Sequence, residues 1–295
     1  MKKKPIMKKT IKLIASDLDG TLLDKKQRIS PVNLDAIKKA QEKGVRFMIS
    51  TGRNYDTIEP MFSEYGFRCA CLLQNGAEIR DEQGHILGTV SMDKADVITC
   101  TEILEAHGLC AEYMTNQGVY TIYPRDKAFA FMVDRLQCLR PDLSRAELEK
   151  RVPESIFFQK LHYADGLEEL LRDEYEVRKM ITFHEDAEFC SRIRTELEEK
   201  ADICALSSFP TNVEINHKQA QKGIALRNII GKMGILPEEV IVFGDGLNDW
   251  TLFTEFSRSY APENAVPEIK ALAGEVIGYH HEDAVGKKIL ELLSN

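Results

Sequence analysis

The chain has 295 residues and 43% apolar side chains, enough for one large domain or two ordinary ones with a real core. Its formal charge of −8, from 39 basic and 47 acidic residues, argues against nucleic acid as a main partner, since phosphate backbones call for a basic surface. No apolar run approaches the roughly 18 residues of a membrane span, so no membrane partner is expected.

The start, Met1-Lys2-Lys3-Lys4-Pro5-Ile6-Met7-Lys8-Lys9, is basic like the head of a secretory signal, but no apolar stretch or small-residue cleavage site follows. It reads as a solvated N-terminus. Ile11–Ala15 is then an apolar run with the character of a buried strand, and it leads into Asp17-Leu18-Asp19-Gly20-Thr21-Leu22-Leu23. Ser30-Pro31 reads as a cap and first residue of a helix carrying Leu34, Ile37 and Ala40, closed by Gly44. Val45–Ile49 is a second buried strand. A helix after Arg53 carries Ile58, Phe62 and Tyr65, with Pro60 either kinking it or standing in its first turn. Cys69–Leu73 is a third strand, and residues 77–80 and 85–88 form a hairpin. The order βαβαβ predicts a parallel sheet with right-handed crossovers.

From residue 89 to 216 the rhythm changes. Charged helices at Asp93–His107 and Asp186–Lys200 alternate with strands at Gly118–Tyr123, Val177–Phe183 and Asn212–Ile215, with Pro141, Pro153 and Pro210 as breaks. This predicts an inserted α+β domain over 89–216, within a core made of 1–88 and 217–295. The α/β pattern resumes with a helix at Lys222–Met233 and a strand at Val240–Phe243, which runs into Gly244-Asp245-Gly246-Leu247-Asn248-Asp249.

Three strand patterns thus end in polar clusters: Asp17-x-Asp19-Gly20-Thr21, Ser50-Thr51-Gly52-Arg53 and Gly244–Asp249. In a parallel sheet these ends share one edge, where ligand sites form. Two carboxylates two residues apart raise each other's proton affinity unless a cation lies between them. Three carboxylates at strand ends can ligate a hard cation such as Mg²⁺ through oxygen. The Thr51 hydroxyl and nearby backbone N–H groups can hold phosphate oxygens, and Lys222 can add positive charge, with Lys218 its rival. The seven cysteines (Cys69, Cys71, Cys100, Cys110, Cys138, Cys190, Cys204) are odd in number and lack a Cys-x-x-Cys pair, so they read as free thiols of a cytoplasmic protein rather than as disulfides or a zinc site. His280-His281 reads as a surface loop.

Taken in order, Asp-Leu-Asp-Gly-Thr-Leu-Leu, Ser-Thr-Gly-Arg, Lys222-Gly223 after Val213-Glu214-Ile215, and Gly-Asp-Gly-x-Asn-Asp resemble the four motifs of the haloacid dehalogenase superfamily. Asn75-Gly76-Ala77 is similar to its Cof-type phosphatases, which carry a large α/β cap. The resemblance implies a Rossmann-like parallel-sheet core with an inserted cap. It also implies an Mg²⁺-dependent phosphomonoester hydrolase that works through an aspartyl-phosphate.

By that resemblance Asp17 is the nucleophile and Asp19 the acid and base. Thr51 and Gly52 bind the phosphoryl group, and Lys222 neutralises charge. Asp17, Asp245 and the Asp19 carbonyl hold the metal, while Asn248 and Asp249 support that shell. Arg53 and Asn75 face the substrate, as does Asn248. The expected partner is a small phosphate ester, a sugar phosphate first, with pyridoxal phosphate, flavin mononucleotide and nucleotides as other classes. A sugar phosphomutase and a non-catalytic ligand-binding homologue are the competing functions. The acidic, mixed-charge surface suits a monomer or weak homodimer. Trp250, the Ser259–Ala265 segment and Asp283-Ala284-Val285 depart from the family pattern.

Overall fold

The computed structural model describes residues 10–294. The basic stretch at residues 1–9 lies outside them. The chain divides into two compact units, one taking the residues up to Leu87 and from Lys222 on, the other Gly88–Gln221.

The strands, numbered in chain order, begin with β1 (Leu13–Ser16), β2 (Arg46–Ser50), β3 (Ala70–Leu73), β4 (Glu78–Arg80) and β5 (Ile86–Thr89). The insertion supplies β6 (Glu112–Thr115), β7 (Gly118–Thr121), β8 (Leu161–Tyr163), β9 (Val177–Phe183), β10 (Ile203–Leu206) and β11 (Asn212–His217). The remaining strands are β12 (Val240–Phe243), β13 (Ser259–Pro262) and β14 (Glu275–Ile277).

The larger sheet runs β14-β13-β12-β1-β2-β3-β4-β5, parallel from β14 to β3, with β4 antiparallel to β3. Its central strands β1, β2, β3 and β12 are buried at every position but Arg46, and mostly apolar, because both faces are covered. The period-2 alternation sends Ile14, Ile49, Cys71, Ile241 and Phe243 to one core cluster. Leu13, Ala15, Met48, Leu72, Val240 and Val242 go to the other.

Helix Pro31–Glu42 covers the first cluster through Ala36, Ile37 and Ala40. It starts where Ser30 Oγ accepts from Asn33 N at 3.1 Å, with Pro31 opening the first turn. Pro60 lies in the interior of helix Tyr55–Tyr65, beyond its first turn. The strand order grows one way from β1 through β2 and β3, and the other way through β12, β13 and β14. The sheet therefore reverses its winding between β1 and β12, and a crevice opens at the carboxyl ends there.

The inserted unit carries the second sheet, β10-β11-β9-β6-β7-β8, antiparallel except for β7 with β8. Helices Lys94–Ala106 and Ala187–Lys200 bury Val97, Cys100, Ile193 and Leu197 against Tyr113, Met180, Val213 and Ile215. Helix Arg125–Leu139 sets Phe131 against Ile181 and Phe183. Pro153 stands in a short 3₁₀ turn, Val152–Glu154, directly after helix Arg145–Arg151.

All seven cysteines are free thiols, five of them buried. Among the described residues no helix is long and apolar enough to cross a membrane.

Candidate active site

β1 delivers Asp17 to the crevice, and the Asp17 N–H donates to the Phe243 carbonyl of β12 at 3.0 Å. The chain then makes a single wide turn, Leu18–Leu22, in which Asp19 (φ −78°, ψ 116°) and Gly20 (φ 80°) leave helical geometry. That excursion sends the two aspartates to different partners. It also demands glycine at position 20 twice over: the left-handed φ disfavours a side chain, and a Cβ would stand 2.3 Å from Asp245 Oδ2.

Lys222 is fully buried, and its Nζ donates to Asp17 Oδ1 and Asp249 Oδ1 at 2.6 Å each. It opens helix Lys222–Lys232. That helix packs so closely on the segment after Asp249 that a Cβ on Gly223 would meet the Thr251 carbonyl at 2.0 Å. Lys218 is half exposed and pairs with Asp202 instead. Asp249 commits both oxygens: Oδ1 to Lys222, Oδ2 to the N–H groups of Asp245 and Gly246 at 2.8 and 3.1 Å. Asp245 Oδ1 accepts from the Thr21 hydroxyl at 2.7 Å.

Carboxylate oxygens of Asp17, Asp245 and Asp249 lie within 4.8 Å of one another. Burial pushes the Asp17 carboxyl up to about 7, with Asp249 and Asp19 adding to the rise and Lys222 opposing it. Asp245 is driven well up by its deep setting and by Asp17 and Asp249. Burial pulls the Lys222 ammonium down, but the two carboxylates outweigh it and hold the group above its ordinary value. One ammonium thus faces three carboxylates. The excess negative charge and all-oxygen donor set fit a hard divalent cation.

The Asp19 side chain stays out of this cluster. Arg53 donates to it from Nε at 2.8 Å and from Nη2 at 2.5 Å, and Nη2 also donates to Gln27 Oε1. Thr51 is buried, its N–H bonded to the Leu72 carbonyl and its Oγ1 accepting from Arg53 N at 3.3 Å. Gly52 lies between them, partly exposed. Gln74 and Asn75 both adopt left-handed backbone (φ 50° and 62°), an uncommon conformation for residues with side chains. It lets their N–H groups reach the Arg53 and Thr51 carbonyls, at 3.0 and 3.1 Å. Asn75 is buried and accepts from Asn248 Nδ2 at 3.3 Å.

Asp17, Asp245, Asp249, Lys222, Thr51, Asn75 and Asn248 therefore assemble around β1, β2, β3 and β12. Arg53 joins through Asp19. Thr21, Gln27, Gln74 and Asn264 were not singled out from the sequence. Thr21 stands inside the first motif and Asn264 inside the flagged Ser259–Ala265 segment, so both had a signal. Among the unusual positions, Trp250 is exposed, and Tyr260 stacks on Phe243 with ring centroids 5.4 Å apart.

A carboxylate cluster around a buried lysine, set at the switch point of a parallel sheet, is a setting that can hold a hard cation and an anionic ligand. The model of the haloacid dehalogenase-like hydrolases matches residues 14–289, and the chain belongs to that family, in its Cof-type branch. Phosphatase YwpJ of Bacillus subtilis (strain 168) is 28% identical over 288 residues, covering 96% of this chain and 100% of its own. Pyridoxal phosphate phosphatase YbhA of Escherichia coli (strain K12) is 26% identical, covering 95% of this chain and 98% of its own. The structure of a haloacid dehalogenase-like hydrolase from B. subtilis superposes with a TM-score of 0.83 at 27% identity, covering 96% of this chain and 100% of that one. The chain is a phosphatase of this family.

Proposed function

We propose that the chain hydrolyses a small phosphate monoester through a covalent phosphoryl-enzyme at Asp17. The observation that carries this reading is the fully buried Lys222 Nζ, 2.6 Å from both Asp17 and Asp249. A lysine so placed fixes one Asp17 oxygen, lowers the repulsion that a phosphate dianion meets, and leaves the other oxygen to attack.

In the first step an Asp17 oxygen bonds to phosphorus, the ester P–O bond breaks, and Asp19 gives its proton to the departing alcohol. In the second, Asp19 takes a proton from water, whose oxygen attacks the phosphorus and returns Asp17 as a carboxylate. Splitting hydrolysis this way replaces one difficult displacement by two easier ones. Thr51 and the Gly52 backbone hold the transferring group, Arg53 orients Asp19, and Asn75 with Asn248 borders the substrate. Asp17, Asp245 and the Asp19 carbonyl would hold Mg²⁺, supported by Asp249. When bound, the ion supplies positive charge against the phosphoryl oxygens.

Residues 89–216 serve as a cap that selects the alcohol portion. Sugar phosphates are the first class proposed, and the name of YbhA adds pyridoxal phosphate. The test is a panel of phosphorylated metabolites assayed for released phosphate with and without Mg²⁺, beside Asp17→Asn. Mg²⁺-dependent release that Asp17→Asn abolishes is the expected result. Persistent release in that variant would overturn the nucleophile assignment.

A further inference from the structure

We infer that Asn264 is a positioning residue for this site: its side-chain amide sets the spacing between the turn carrying Asp17 and Asp19 and the turn carrying Asp245. The inference rests on the reading proposed above.

Asn264 stands in the loop after β13. Its Nδ2 donates to the Gly20 carbonyl at 2.7 Å, across 244 positions of sequence, and its Oδ1 accepts from His280 N at 3.1 Å. His280 Nδ1 in turn donates to the Leu23 carbonyl at 2.6 Å, at the far end of the same turn. The loop's own backbone reaches the other side of the switch point, where Val266 N donates to the Asp245 carbonyl at 3.0 Å. Thr21, next to Gly20, donates to Asp245 Oδ1 at 2.7 Å.

These contacts close a ring: Gly20 to Asn264, along the loop to Val266, across to Asp245, and back through Thr21 to Gly20. Gly20 is the flexible member of that ring, at φ 80° with no side chain to limit its peptide. Asn264 holds the carbonyl of that residue, so it fixes the peptide that joins Gly20, next after the proposed acid, to Thr21. A carboxylate at 264 could keep the acceptor for His280 but could not donate to Gly20. Asn264 is exposed, so this bond adds little to folding, and an effect on the site can be separated from an effect on stability.

The test uses the full chain and two variants, Asn264→Ala and Asn264→Asp, with Mn²⁺ binding followed by electron paramagnetic resonance. Steady-state kinetics on an aryl phosphate at saturating Mg²⁺ and melting temperature complete the set. Partners that orient a metal site cost 10–100-fold when removed from direct supporting positions, so a weakening of Mn²⁺ binding by about tenfold in Asn264→Ala is expected. The kcat should fall by a similar factor, with KM and melting temperature nearly unchanged.

Asn264→Asp should match the fall in kcat, because it too lacks the donor to Gly20. Wild-type Mn²⁺ affinity in Asn264→Ala, or wild-type kcat in Asn264→Asp, overturns the inference. A wild-type chain that neither binds Mn²⁺ nor releases phosphate overturns the proposed function instead.

Discussion

Lys222 in the core unit and Lys179 in the inserted one are buried almost equally, with side chains 0% and 2% exposed, yet they keep different company. Lys179 Nζ donates to Glu214 Oε2 at 2.8 Å. The other Glu214 oxygen accepts from Ser208 Oγ at 2.6 Å and Asn212 Nδ2 at 3.0 Å, which are neutral donors. Here a cation meets an anion, and neutral donors reach the anion's second oxygen. At Lys222, one cation meets Asp17 and Asp249 with Asp245 close by, and charge is left over. A balanced buried pair holds a fold in register. An unbalanced one carries surplus negative charge, which fits the cation and the phosphate ester proposed above.

The strongest way to break this comparison is at the nucleophile. Asp17→Asn should cut aryl-phosphate hydrolysis by at least about 10³-fold while circular dichroism stays that of the wild type. Residual turnover near the wild-type level would make the unbalanced cluster structural after all.

Chelation comes next. EDTA should abolish turnover, and added Mg²⁺ should restore it, with no change in the fold around Lys179. Turnover that survives exhaustive chelation would remove the metal from the proposal.

The lysines themselves sharpen the contrast. Either Lys→Met change strands a buried carboxylate and should cost ~3–5 kcal/mol in a denaturant titration. Only Lys222→Met should also remove activity. Lys179→Met joined to Glu214→Leu should regain part of that stability, since an apolar replacement of both partners relieves the stranded charge.

The smallest effect is a pH dependence. In the folded chain the Asp17 carboxyl sits at about 7 against an ordinary 3.8, so the native state holds the proton more tightly than the unfolded state. Stability from that source is therefore present at low pH and is lost as pH rises through this window. In EDTA, the melting temperature of Asp17→Asn should gain on the wild type as the buffer goes from about pH 5 to about pH 8. A difference that stays flat across the range would contradict the burial and surplus negative charge ascribed to the cluster.

Much of the core and its site was legible because the relevant signals are local. Apolar strand runs end in Asp17-x-Asp19, Ser50-Thr51-Gly52-Arg53 and Gly244–Asp249, and a parallel sheet has one edge on which to gather them. Lys222 over Lys218 was readable from the glycine that follows, and the reason is physical: only glycine at 223 lets that helix approach Thr251. What stayed hidden depends on backbone conformation or on long-range partners. Nothing in Gln74-Asn75 announces two consecutive left-handed residues. The pairing of the Arg53 side chain with Asp19 is set by the wide turn at Leu18–Leu22. Helices Arg125–Leu139 and Arg145–Arg151 were also missed, since prolines at 141 and 153 read as breaks although they flank helices.

The interruption of the core by Gly88–Gln221 has a consequence in the order of synthesis. Everything in the inserted unit leaves the ribosome as one continuous piece, and its six strands can pair as soon as they emerge. The core cannot close so early. The neighbour of β1 on one side is β12, which is translated more than 200 residues later. For most of that time the nascent chain also carries Asp17 without its lysine, and the first described strand waits for one of the last.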